Sequence, residues 1–425
     1  MTNKIATPTA AKEPGLLRTN RDFRQFWSSQ GLVAYGSQVG LIALPLIAIT
    51  TLQAGAEQVG VLVALQRISF PLIGLFVGVW LDRVDRRKAL ISGDIGQALL
   101  LTAIVVVWWR GLLSLPVLIG LAALAGALYV VSEIGHFAFL PDVLSSPKDL
   151  LSANTYLQVT ASTAMIVGPS AAGLLVSLLE PTPTLLVNAA MLFLSAMLLT
   201  LMRTRTAART DGPRPAEGVL AGIRAGIATV YQNPTLRALG EMAGIYMFFY
   251  TAFQTLVILF LVETLKLSSL LVGVFFAAFG GGFLLTSLVG RRISGRLGVG
   301  RSMVLGALVG DVASVLVSAI PGGSVTVAAV LAAACAAVMG AGTQINTVNA
   351  VSMRQGLTPP HLQGRVNATM RVIAWGVAPL GGLLGGVLGG QLGVRTGLAV
   401  AAAGTILAAV RLAVSPAARL QTLPD

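Results

Sequence analysis

Arg67 and Asp311 are charged residues set deep inside long apolar runs, each about nine residues into its run. At a rise of about 1.5 Å per residue both fall near the middle of a bilayer. A lone charge there costs about 2.5–3.5 kcal/mol on insertion scales, so it faces a partner or a water-filled cavity. Glu133 and His136, three positions apart, fall on one helical face near the end of another run. A Glu–His pair takes up and releases protons near neutral pH. These four residues are the candidates for proton coupling. Asp94 lies only about 9 Å inside the membrane by the same rise, and is expected to pair with the basic loop that precedes it. Uncharged polar and aromatic residues recur on single faces: Tyr246, Tyr250 and Gln254; Gln158, Ser162 and Met165; Tyr35 and Gln38; Thr343, Asn346 and Asn349. Such groups hydrogen-bond poorly to lipid, so they should turn inward and line a cavity. Tyrosine and methionine surfaces suit bulky apolar or aromatic solutes better than sugars.

Other chemistries lack their parts. His136 has no second histidine nearby, and Cys335 is the one cysteine, so neither a metal site nor an internal disulfide is expected. No nucleophile–base pair is spaced for catalysis, which argues against an enzyme. No phosphate loop of the Walker type occurs, so no nucleotide is expected, and nothing calls for a cofactor.

The elements that carry these residues follow from composition. The chain has 425 residues, 55% apolar and 11% charged, with mean hydropathy +0.83. Soluble domains carry roughly 25% charged residues. A soluble multidomain enzyme, a disordered chain and a nucleic-acid module are therefore excluded, and an all-α integral membrane protein remains. The apolar runs are about 20 residues long without two-residue alternation, so they are helices rather than barrel strands. Twelve spans are expected near 26–49, 58–81, 89–109, 114–138, 153–179, 184–202, 239–262, 268–290, 302–320, 325–351, 366–390 and 396–414. With the N-terminus inside, 24 of the 29 Lys and Arg residues fall on the inner side and 3 on the other. That bias places both termini in the cytoplasm of a cell whose inner membrane holds the chain. It also accounts for the net charge of +13 without a nucleic-acid partner.

Five segments are expected: a polar tail 1–24 without a cleavable signal, a six-helix bundle 25–202, a cytoplasmic linker 203–238, a second bundle 239–414 and a tail 415–425. Within the linker, 216–231 has helical spacing of apolar residues and could lie along the interface. The bundles repeat each other. Gly78 and Gly290, Asn154 and Asn367, and Gly168-Pro169 and Ala378-Pro379 are separated by nearly one offset, half the length of the chain. An even number of spans per copy makes the repeat parallel, about an axis along the membrane normal.

Six plus six spans, a basic central loop and a parallel repeat resemble the major facilitator superfamily. The stretch Gly78-Val79-Trp80-Leu81-Asp82-Arg83-Val84-Asp85-Arg86-Arg87 is similar to that family's loop motif between helices two and three. Gly78 matches its leading glycine, Asp82 its acid, and Arg83, Arg86 and Arg87 its basic positions. It departs at Asp85, where the family has glycine, and the second copy carries Ser294 in place of the acid. The resemblance implies a conformational latch in which Asp82 binds arginines and a helix N-terminus of the other half; Arg371, as shallow as Asp94, is expected either to snorkel or to join the latch at Asp82. Arg354-Gln355, Pro359, Gly364-Arg365-Val366-Asn367-Ala368, Arg371, Trp375-Gly376 and Pro379-Leu380-Gly381 resemble a narrower branch of enterobactin-type exporters. Gly168-Pro169-Ser170-Ala171-Ala172-Gly173 resembles the helix-five motif of exporters, with Ala172 in place of a glycine. What the resemblance implies is secondary active efflux of small amphipathic, drug- or siderophore-like compounds, coupled to protons, by alternating access. An importer or facilitator on the same fold, and a non-transporting flippase-like or sensor protein, stay open beside it.

Overall fold

The computed structural model describes residues 16–81, 83–144, 146–203, 227–359 and 362–421. Among them twelve helices are long and apolar enough to cross a membrane. In chain order they are α1 (Arg21–Leu46), α2 (Ala56–Leu81), α3 (Arg86–Trp109), α4 (Leu115–Val143), α5 (Leu150–Leu179), α6 (Pro181–Thr200), α7 (Pro234–Leu259), α8 (Ser269–Leu297), α9 (Val299–Ala319), α10 (Val325–Leu357), α11 (Gln363–Gly376, continued by Ala378–Leu392) and α12 (Val394–Ala413). Every span expected from the sequence is present. Two differ in detail. Residues 21–24, read as tail, already belong to α1, because the Asn20 side chain accepts from the Phe23 N–H at 2.9 Å and starts the helix early. The eleventh span is interrupted at Val377, just before Pro379, whose ring and missing N–H break the ladder. Of the linker stretch 216–231, only 227–231 is described, and it is helical.

The repeat extends into backbone geometry. Asn20 caps α1, and Asn233, at the matching place in the second half, caps α7. Helices α1 and α7 both end in a π-helical turn, Ile47–Thr51 and Phe260–Thr264. Positive φ recurs at matching turns: Gln53 and Lys266 (53° and 56°), Gly111 and Gly323, Glu180 and Gly393. Helix contacts also repeat. In the first half α1 packs on α5 and α6, α3 on α4 and α6, and α2 on α4; in the second, α7 packs on α11 and α12, α9 on α10 and α12, and α8 on α10. Two large contacts join the halves, α2 with α11 and α5 with α8, and each is the other's symmetry mate.

The described chain begins and ends on one face of the bundle, here the terminal face; the opposite one is the far face. Towards the far face a single apolar core runs through both halves, including Ile42, Leu62 and Val176 with Phe253, Val272 and Ala402. Towards the terminal face the core divides. Phe23, Phe26, Phe139 and Leu199 form one cluster in the first half, and Met242, Met303, Met370 and Leu412 another in the second. The halves are thus fused on the far side and separate on the terminal side.

Glycine makes the far-side closure. A Cβ on Gly60 of α2 would lie 2.6 Å from Gly386 Cα and 2.8 Å from Gly382 O of α11. One on Gly173 of α5 would lie 2.6 Å from Gly273 Cα of α8. Small residues at these crossings let the backbones touch.

Candidate functional site

Between the far-side crossings and the parted terminal side lies a group of polar side chains drawn from both halves. Arg67 stands in mid-α2, about 16 Å from its far end. Its guanidinium donates to Gln254 Oε1 at 2.7 Å and to Thr251 Oγ1 at 3.4 Å, both on α7, and lies 5.9 Å from the Trp375 ring centre of α11. Phe70, less than one turn on, meets the same indole at 6.4 Å. Tyr246 and Tyr250 stack one turn apart on α7, 5.2 Å between centroids and 12° between planes, and Gln254 Nε2 donates to the Tyr250 hydroxyl at 3.1 Å. The four-residue spacing read from the sequence therefore does form one face, and that face ends on Arg67.

A turn or two nearer the terminal face, Arg371 of α11 donates to Glu133 Oε1 of α4 at 3.0 Å and lies 5.1 Å from the Phe137 ring. Tyr129, one turn before, donates to Glu133 Oε2 at 3.2 Å. This ion pair joins the two halves. Its side chains are 46% and 28% exposed, so solvent screening weakens it.

Several expectations are corrected here. Glu133 and His136 do not form a pair. Three steps turn a helix by about 300°, so the side chains diverge by about 60°. Glu133 looks across to the other half, while His136 is buried edge-on to Phe26 with its Nε2 lacking a partner. Asp94 does not reach the basic loop. It is wholly buried and accepts from Ser132 Oγ at 2.9 Å and Ser195 Oγ at 2.7 Å, with Ser29 behind Ser195. Asp311 is buried inside the second half beside Thr405 and near Tyr246. Asn349 is likewise internal, bonded to Ser294, Ser302 and the Ile345 carbonyl, and Asn346 donates to Met303 O. Thr343 bonds the Met339 carbonyl and lies beside Tyr246, so it backs the aromatic face.

On α5, Gln158 and Met165 are exposed and Ser162 half-buried. Ser162 and Gln158 continue towards the terminal face the stripe on which Ile166 and Gly173 meet α8. On α1, Tyr35 is half-buried and Gln38 packs its side chain against Gly168. Gly168, Pro169 and Gly173, the exporter-like stretch, sit where α5 meets α1 and α8.

The latch residues divide. Asp82 lies outside the described residues. Arg86 donates to Ala138 O at 3.0 Å and pairs with Asp142 at 3.2 Å, and Arg87 donates to Leu199 O at 2.7 Å and Thr200 O at 2.6 Å. These contacts tie α3 to α4 and α6 of its own half. Arg83 is exposed, and among the described residues no atom lies within 4 Å of the place of a Cβ on Gly78. Arg371 pairs with Glu133.

Sequence reading missed Thr251, Tyr129, Phe137 and the Gly60–Gly386 crossing. The last had a visible signal, since glycine pairs recur at four-residue spacing through Gly381, Gly382, Gly385, Gly386, Gly389 and Gly390. Among the described residues no cluster of His, Cys, Asp and Glu could hold a metal ion.

The family model of the Major Facilitator Superfamily matches residues 26–379. The multidrug efflux pump Tap of Mycolicibacterium fortuitum is 24% identical over 356 residues, covering 82% of this chain and 84% of Tap. The staphyloferrin A transporter of Staphylococcus aureus is 27% identical over 177 residues, 41% of this chain and 44% of that one. A point mutant of the nucleoside transporter NupG superposes with a TM-score of 0.73 at 14% identity, over 92% of this chain and 98% of NupG, a likeness of fold.

Proposed function

Because the chain belongs to the major facilitator superfamily, and so is a transporter of small molecules and not an enzyme, we propose that it exports small amphipathic organic compounds in exchange for protons. The observation that carries the reading is the asymmetry of the inter-half contact. One core and two glycine crossings seal the far side, while the terminal side keeps two separate cores bridged at mid-depth by Arg371–Glu133. That is the arrangement of one state in an alternating-access cycle, in which two rigid bundles rock about a shared midplane site. The bias of Lys and Arg supports a cytoplasmic terminal face, in the inner membrane of a bacterial cell. The site is then loaded from inside. Export is favoured by the resemblance to Tap, an efflux pump, and by the exporter-like stretch Gly168–Gly173 at the α5–α8 crossing.

In this reading Glu133 couples the proton. As a carboxylate it holds Arg371 across the halves; a proton on it removes that charge and releases the bridge. The loop from Gly78 to Arg87, with Asp82, closes the cytoplasmic side in the opposite state. The test is solute flux in proteoliposomes under an imposed pH gradient. The intact chain is expected to drive flux with the gradient, and Glu133→Gln to lose the dependence on it. Flux indifferent to the gradient in both proteins removes proton exchange.

A further inference from the structure

We infer that Arg67 is the docking point for an anionic group, and that the cargo is an aromatic or amphipathic organic acid rather than a cation or a neutral solute. The inference rests on the transporter reading and specifies what its site accepts.

Charge bookkeeping across the membrane interior singles Arg67 out. Glu133 has Arg371. Asp94 is enclosed in the first half by two serine hydroxyls, and Asp311 lies within the second half beside Thr405, behind Tyr246. Arg67 alone of these stands at the junction of the halves, and among the described residues no carboxylate is within ion-pair distance of it. Its contacts, Gln254 Oε1, Thr251 Oγ1 and the Trp375 face, are neutral. Neutral acceptors orient a guanidinium but leave its charge in place. A guanidinium has five N–H groups in a planar fork suited to a carboxylate, and the protein uses two of them. The symmetry-related position on α8 is Gly280, packed on Ile166, so the charge has no counterpart across the axis.

The surroundings specify the rest of the ligand. Tyr246 and Tyr250, stacked on each other, form an aromatic block along α7 that ends at Gln254, the residue that holds Arg67. A flat apolar body on the tyrosines would place its acid group at the guanidinium. A cationic solute would instead be repelled by Arg67 in a low-dielectric site.

The test is equilibrium binding to the purified full-length chain in nanodiscs, with three matched probes: 2-naphthoate, 2-naphthamide and 2-naphthylmethylammonium. Quenching of tryptophan fluorescence reports the site, since Trp375 borders Arg67. Naphthoate is expected to bind about tenfold or more tightly than either other probe, the range of a hydrogen bond to a charged group. Arg67→Gln should abolish the preference and Arg67→Lys should keep part of it, with melting temperature confirming that each variant is folded. Equal binding of the three probes, preference for the ammonium, absence of naphthoate binding, or an anion preference that survives Arg67→Gln each overturns the inference. Binding needs no gradient. Anion preference without pH-driven flux would therefore sink the exchange mechanism alone, and pH-driven flux without anion preference would sink this inference alone.

Discussion

The substitution Gly60→Ala places one methyl group between α2 and α11, where its carbon would lie 2.6 Å from Gly386 Cα, 2.8 Å from Gly382 O and 2.9 Å from Gly386 N. Ordinary contact between carbons is about 3.5–4.0 Å, so the crossing must widen by roughly 1 Å. All three neighbours are backbone and cannot turn aside. Overpacking of this kind costs about 1–3 kcal/mol. The cost falls on one state only. When the halves part on the far side, α2 and α11 separate and the methyl meets nothing. Alanine's better helix propensity applies equally in both states and cancels. A difference of about 1–3 kcal/mol shifts the ratio of the states by about 5–150-fold towards far-side opening. The assay is the labelling rate of Val63→Cys by a membrane-impermeant maleimide, in a Cys335→Ser background. Val63 is 7% exposed in the shared core, one turn from Gly60, and cysteine is smaller, so it adds no crowding of its own. The rate follows the population of the far-side-open state and is expected to rise by the same factor in Gly60→Ala. A rate unchanged within twofold, in protein that melts like its parent, would refute the claim that this crossing is a gate.

Contrasting outcomes are expected elsewhere. Gly340→Ala also drives a Cβ into backbone, that of Phe279, but the α8–α10 contact lies inside one half and has no open state to escape to; folded yield should fall sharply, read by size-exclusion chromatography. Asp94→Leu strips Ser132 and Ser195 of their buried acceptor and should cost about 1–3 kcal/mol of stability, seen as a lower melting temperature with probe binding unchanged. Arg87→Ala removes a donor from Leu199 O and Thr200 O at the end of α6 and should cost only about 0.5–1.5 kcal/mol, a smaller fall in melting temperature than for Asp94→Leu, with no change in labelling at Val63→Cys. Arg371→Gln removes a half-exposed pair worth at most about 1 kcal/mol, so its effect on that labelling should stay below about fivefold.

The residues that the sequence placed well share a property. Tyr246, Tyr250 and Gln254 lie four apart on one helix, and their common face is a matter of local geometry that α7 preserves. Residues whose partners lie on another helix were not legible in this way. Asp94 finds its hydroxyl donors 38 and 101 residues away, on α4 and α6. Arg371 reaches across 238 residues to Glu133. Arg86 and Arg87 fit a general pattern of basic loop residues, and their bonds to the helix ends of their own half needed the packed structure to be seen.

What the chain determined without its tertiary structure is the set of helices and their duplication. Lipid supplies no hydrogen bonds, so each span must satisfy its backbone within itself, and that constraint is written in consecutive residues. The parallel repeat follows from the same linear record, because a constant offset of half the chain needs only counting. The rotation of each helix about its axis, and therefore which polar group meets which, was decided by packing. A modest angle around α4 separates Glu133 from His136, one turned to the other half and the other into an aromatic core. Which glycines join the halves and which lie within one half was settled in the same way, since a Cα–H surface carries no address until a second backbone is laid against it.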